Sequence, residues 1–194
     1  MAVRIGKPIQ RPFLVGERIY LRPLESDDVN EAYVNWLNDQ AVTRFMQAGM
    51  VPITKESLGR YVQQVSQSSD TVFLAVIEKG TDRHVGNVKL GPIHRIHHRA
   101  DLGIMIGDKV RWGRGYGQEA MGLMLDYAFK RLNLHKVALG VEAAHQAAVD
   151  LYKRLGFQIE GVLKKHVFRD GMYRDNLVMG LLRQDYRKTR GGLG

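Results

Sequence analysis

The stretch RWGRGYGQEAMG, Arg111 to Gly122, constrains the fold more than any other part of the chain. Gly113, Gly115 and Gly117 alternate with Arg114 and Tyr116, and a helix-forming run starts at once. Glycine in an ordered segment costs conformational entropy, so this density marks backbone that turns sharply or comes close to something. Glycines just before a helix leave its unpaired N–H groups and positive end open. Phosphate is the natural guest of such an end. A plain turn needs fewer glycines.

The remaining patterns place this loop in a sheet. RIYLRPL (Arg18–Leu24) alternates as a strand closed by Pro23. Ser26 then reads as a helix cap, with Asp27 and Asp28 at the positive end and Val29, Tyr33, Trp36 and Leu37 as the apolar face. A second helix runs from Thr54 to about Ser66, with Leu58, Tyr61, Val62 and Val65 on one side. Thr71–Glu78 and His84–Ile93 read as a hairpin around KGTD, and Arg99–Asp108 as a third strand. After the glycines a helix reaches about Leu132 and buries Met121, Leu125, Ala128 and Leu132. Strand Lys136–Val141, helix Gln146–Leu155 and a last hairpin around RDGMY follow. The order is β-α-α-β-β-β-α-β-α-β-β. It predicts an α+β fold with a mixed, mostly antiparallel twisted sheet flanked by helices. The length of 194 residues suits one domain, with residues 1–14 a loose arm and 187–194 a frayed tail.

Composition narrows the chemistry. The chain has no cysteine, which excludes disulfides, thiolate catalysis and cysteine zinc sites. No apolar run approaches a membrane span and the N-terminus has no signal-peptide pattern, so a cytoplasmic protein is expected. The net charge of +9 points to an anionic partner, but the Lys and Arg residues are scattered. A phosphate-bearing small molecule is therefore favoured over nucleic acid. The protein is expected to be a monomer or homodimer, with Asn176–Leu182 a candidate strand for pairing across a dimer.

Gly115–Ala120 fits the dinucleotide fingerprint G-x-G-x-x-A, and Glu142 ends the next strand, where a ribose-binding acid belongs. In that fold the strand runs straight into the first glycine. Here GDKVRWGR intervenes, and the earlier strands pair as hairpins. A second stretch, HQAAVDLYKRLGF (His145–Phe157), is a short helix with Ala148, Leu151, Tyr152 and Leu155 on one face, stopped by Gly156. Together the two stretches resemble the GNAT family of acetyl-CoA-dependent N-acetyltransferases. The family's cofactor loop, [QR]-x-x-G-x-[GA], corresponds to Trp112 through Gly117. Its later signature, N-x-x-[AS]-x-x-L-Y-x-x-x-G-F, corresponds to His145 through Phe157. The resemblance spans about residues 17–183. LGIMIGD and FRDGMYRDNLVMGLL are similar to the branch that acts on ribosomal-protein N-termini, polyamines and amino sugars. Trp112 and His145 depart from the usual Gln or Arg and Asn. Trp112 loses a side-chain phosphate contact that Arg111 or Arg114 can replace, and His145 retains one hydrogen bond.

The resemblance implies that strand Leu102–Ile106 splays from Lys136–Val141 and that the pantetheine of acetyl-CoA lies between them. Backbone of Ile104, Met105 and Ile106 would line it, an N–H near Met105 or Ile106 would polarise the thioester carbonyl, and Gly113 to Gln118, including Tyr116, would hold the pyrophosphate. His145, Ala148 and Leu151 would complete the cofactor site. Tyr152 would protonate the departing thiolate, since phenol and thiol reference pKa values are close, ~10 and ~8.5. The incoming amine must be neutral; Asp101 is the candidate base beside a water chain, and Glu142 a weaker one. Trp36, Phe45, Asn87, Lys89 and Tyr173 are the candidate acceptor contacts, with His97 able to touch it. Lys89 on a strand facing the cleft suits a phosphate or carboxylate on the acceptor, such as a nucleotide-linked amino sugar. His94, His97 and His98 lack carboxylates at metal-ligand spacing, so no metal is expected. A small primary amine such as an amino sugar is the expected acceptor, and the basic chain disfavours an acidic polyamine site. The alternatives are a protein N-terminus and, in another class, a non-catalytic nucleotide- or RNA-binding module.

Overall fold

The structure, a computed structural model, describes residues 12–190. Most of the expected N-terminal arm, residues 1–11, and residues 191–194 lie outside the described residues. The strands are β1 (Leu14–Val15), β2 (Ile19–Pro23), β3 (Val72–Glu78), β4 (Arg83–His94), β5 (Arg99–Ile106), β6 (Lys136–Glu142), β7 (Gln158–Arg169) and β8 (Met172–Leu182). The helices are α1 (Glu31–Asn38), α2 (Gln40–Thr43), α3 (Lys55–Ser66), α4 (Tyr116–Asp126), α5 (Gln146–Arg154) and α6 (Arg183–Arg190). One sheet has the order β1-β2-β3-β4-β5-β6-β8-β7. Every neighbouring pair is antiparallel except β5 with β6.

Each face of the sheet carries its own core, and strand alternation assigns the residues. Leu74, Val76, Val88 and Leu102 pack with Met121, Leu125, Phe129 and Val149 from α4, its continuation and α5. Ala75, Ile77 and Met105 pack on the other face with Tyr33 and Leu37 of α1 and Leu58 and Val62 of α3. Burial on both faces is why β3 reads VFLAVIE, a continuous apolar run rather than an alternating one.

Five local expectations change. Leu14 is not in a loose arm but pairs with Leu21. Ser26 does not cap α1: Ser26–Asp28 forms a 3-10 turn, and Asn30 caps α1 by accepting from the Tyr33 N–H. The Asp28 carboxylate is taken by the buried Arg22 guanidinium at 2.6 and 2.8 Å, a stronger claim than a helix dipole. α4 does not run regularly to Leu132, because Tyr127–Arg131 widens into a π-helical turn. The expected tail is helical as far as Arg190. Asn176–Leu182 lies within β8, which pairs with β6 on one edge and β7 on the other, so this strand has no free edge to offer a second copy. No described helix is long and apolar enough to cross a membrane.

Candidate active site

The centre of the sheet opens. The parallel ladder between β5 and β6 covers only Arg99–Lys136, Ala100–Val137 and Asp101–Ala138. Past those pairs β5 stays on β4 as far as Ile106 opposite Gly86, and β6 stays on β8 as far as Glu142 opposite Asn176. Each strand is held on its outer edge and free on its inner one, which makes the expected splay begin at Leu102 and Leu139. The Gly107 N–H donates to the Val85 carbonyl at 3.0 Å. Alternation therefore turns the backbone groups of Met105 towards β4 and those of Ile104 and Ile106 towards the gap. Of the two N–H groups expected near the thioester, that of Ile106 faces the opening and that of Met105 does not.

The glycine loop sits at the wide end of the gap. Gly113 and Gly115 adopt φ values of +73° and +79°, the left-handed conformation that favours glycine. Gly115 precedes α4, whose first intrahelical bond is Glu119 N–H to the Gly115 carbonyl. The N–H groups of Tyr116, Gly117 and Gln118 consequently have no partner within the helix. A Cβ on Gly117 would touch Ile106 at 3.8 Å and Leu151 at 3.9 Å, so β5, α4 and α5 meet here. Ala148 is buried in the core behind them.

The loop is tied down by residues that sequence reasoning missed. Arg18 donates through Nε to Glu119 at 2.8 Å and through Nη1 to the Arg114 carbonyl at 2.6 Å. Buried Glu78 accepts from Arg111 at 2.9 Å, Thr81 at 2.6 Å and the Tyr116 hydroxyl at 2.7 Å. These donors hold its carboxyl down to about 2. Arg111, which also pairs with Asp108, and Tyr116 therefore act beneath the loop as anchors, whereas Arg114 is exposed on it. Trp112 Nε1 donates to the Ile106 carbonyl at 2.7 Å, so the residue in place of the family's Gln or Arg fastens the loop to β5. No local sequence pattern links Glu78 or Arg18 to a loop so distant in the chain.

Tyr152 is buried on α5, and burial raises its pKa, keeping the phenol protonated at neutral pH. Its hydroxyl makes no hydrogen bond among the described residues, yet it is not among the sealed polar atoms. Asp101 lines a cavity of about 350 Å³ with Lys89, Gly91, Gly103, Ala138 and Gly140. Asp101 and Gly103 alternate with the core-facing Ala100 and Leu102, so their side positions open to the face carrying α1 and α3.

The other candidates scatter around this cavity. Trp36 is half-buried against Tyr33 and His84 and lies where a Cβ on Gly107 would be, which walls the end of β5. Asn87 is buried with Oδ1 2.9 Å from His84 Nε2, and its Nδ2 has no partner among the described residues. Phe45 does not face the cavity but stacks on His145 at 4.1 Å, flanked by the guanidinium groups of Arg44 and Arg169. Burial lowers the His145 pKa and favours the neutral ring. Glu142 is taken by Arg169 at 2.7 Å, which leaves it poorly placed as a base. His97 lies in the exposed β4–β5 turn and Tyr173 pairs with Phe168 in the β7–β8 hairpin; neither lines the cavity.

A family model described as an acetyltransferase (GNAT) domain matches residues 18–158. The chain belongs to the GNAT acetyltransferase family. It is 32% identical over 169 residues to a spermidine N(1)-acetyltransferase of Escherichia coli K12, covering 87% of this chain and 88% of that one. It is 29% identical to the N-acetyltransferase p20 of Bacillus licheniformis, covering 89% and 97%. The crystal structure of a Vibrio cholerae spermidine N-acetyltransferase with CoA and spermine superposes with a TM-score of 0.79 at 28% identity, over 88% of this chain and 99% of that one. This GNAT enzyme is an acyltransferase that uses acetyl-CoA. Its residues fit that group: the splay leaves a strand edge free, and the left-handed glycines leave helix N–H groups open to a pyrophosphate.

Proposed function

We propose that this enzyme acetylates the primary amine of a small molecule, with Tyr152 as the proton donor. The observation that carries the reading is the unpartnered Tyr152 hydroxyl on the helix that meets the opened strand β5. Acetyl-CoA, when bound, supplies the activated acetyl group. Tyr116, Gly117 and Gln118 would donate backbone N–H groups to its pyrophosphate, and Ile104 and Ile106 would present theirs along the gap. The Ile106 N–H would stabilise charge developing on a carbonyl oxygen. Asp101 would accept the amine's proton at its carboxylate, directly or through water. Tyr152 would keep its proton available for the leaving sulfur. Asn87, held by His84, and Lys89 would line the acceptor's side.

The relatives named for spermidine support a small-molecule amine over a protein N-terminus or a nucleic acid as the acceptor. An amino sugar presents the same primary amine and remains within the reading. The test is release of free thiol from acetyl-CoA across a panel of amines. Tyr152→Phe is expected to bind acetyl-CoA in calorimetry as the parent does, while turnover falls by about 10²- to 10⁴-fold. Unchanged turnover removes Tyr152 from the chemistry. No acetyl-CoA binding by the parent protein defeats the whole reading.

A further inference from the structure

The cavity on the α1–α3 face contains two charges, Lys89 and Asp101, and they are opposite in sign. Neither belongs to an ion pair among the described residues, with each other or with any other group. Their separation follows from the sheet. Lys89 stands directly opposite Gly103, so Asp101, two residues away on the same face, is its diagonal neighbour. Diagonal positions lie roughly 7–8 Å apart, within reach of a long side chain, yet the Lys89 ammonium rests against Tyr61 rather than on Asp101, which leaves the space between the two charges for a small molecule. The backbone keeps this gap clear. Beside Asp101 the β4–β5 register slips between Leu90 and Ile93, where Gly91 lines the cavity. A Cβ on Gly103 would meet nothing within 4 Å.

Lys89 is also unusual for its position. It sits in an interior strand between Phe73 on one side and Gly103 on the other, neither of which balances its charge. Its Nζ rests 3.5 Å from the Tyr61 hydroxyl and 5.9 Å from that ring's centre, a weak neutral resting place. A polycation brought to this cavity meets a lysine of its own sign. A molecule with one amine and one anion meets a complement for each.

We propose that the acceptor carries a carboxylate or phosphate as well as its primary amine, the anion pairing with Lys89 and the amine drawn to Asp101. This rests on the small-amine reading above and narrows it to zwitterionic acceptors. It separates this chain from the relatives named for spermidine.

The test compares four acceptors by thiol release: glucosamine 6-phosphate, 4-aminobutyrate, glucosamine and spermidine. The parent enzyme is expected to show kcat/KM at least about tenfold higher for one of the anionic acceptors than for glucosamine or spermidine, the scale of one good charged contact. The phosphate and carboxylate arms identify which anion is read. Lys89→Met is expected to erase that preference, mainly through KM, while Lys89→Arg keeps it. Calorimetric titration of the preferred acceptor into the CoA-bound protein should lose affinity in Lys89→Met by a similar factor. Spermidine or glucosamine as the best acceptor, or a preference indifferent to Lys89→Met, overturns this inference and leaves the small-amine reading intact. No turnover of any amine by a protein that binds acetyl-CoA removes both.

Discussion

Gly115→Ala is the sharpest perturbation of the cofactor loop. Gly115 holds φ +79°, and an alanine there costs about 1–2 kcal/mol. Its Cβ would also stand 2.9 Å from Arg18 Nη1 and 3.0 Å from Nη2. Arg18 is a flexible side chain and can swing away, but that breaks its 2.6 Å bond to the Arg114 carbonyl, a net loss of about 0.5–1.5 kcal/mol. The sum is about 1.5–3.5 kcal/mol against the cradle conformation. The free loop can relax, so the cost appears when acetyl-CoA demands that conformation again. At 1.4 kcal/mol per tenfold, acetyl-CoA affinity should fall by about 10- to 300-fold in isothermal titration. Gly113→Ala is the built-in comparison. Its φ is +73°, but its Cβ meets nothing within 4 Å, so only the strain applies and the loss should be about 5- to 30-fold. Gly115→Ala affinity within about twofold of the parent refutes the strained-cradle argument. Equal losses in both variants remove Arg18 from it.

Three further outcomes follow from the anchors and the acid. The folded pKa of Glu78, about 2, lies below its unfolded value, so its stabilisation is complete above about pH 4.3 and is lost as pH falls towards about 2. Glu78→Gln should therefore lower stability by on the order of 3 kcal/mol in urea unfolding at pH ~7, with the gap narrowing at pH ~3; a constant gap contradicts the assignment. Trp112→Phe removes the N–H that holds the Ile106 carbonyl and should cost about 0.5–1.5 kcal/mol of stability, with no effect expected if that bond is idle. Tyr152→Phe should shift folding free energy by less than about 0.5 kcal/mol, because its hydroxyl has no partner to lose; a larger drop in chemical denaturation reveals a structural bond.

Strong local patterns were legible wherever one element's own residues decide its form. The helix from Thr54 to about Ser66, the apolar run of β3 and the glycine turn before α4 are local in this sense. The short pieces β1 and α2 were not, since a two-residue strand and a four-residue helix exist only because a neighbour pairs with or covers them. The 3-10 turn at Ser26–Asp28 was misread for a related reason. The partner that captures Asp28 is Arg22, and a favourable local charge at a helix end cannot reveal that competitor.

The site divides the same way. By itself the sequence placed the main strands and helices, the glycine turn before α4 and Tyr152 on the short helix α5, because each depends on spacing within one short segment. Only the tertiary structure decided what the side chains around them do. It tied the side chains of Arg111 and Tyr116 to a glutamate on a different strand, where they support the loop. It turned the Ile106 N–H, and not that of Met105, towards the gap, because the direction of a backbone group depends on which neighbouring strand it pairs with. It withdrew Phe45 onto His145 and left Lys89 and Asp101 unpaired across one cavity. Partnerships of this kind join residues far apart in the chain, and their energies depend on distances that folding alone sets.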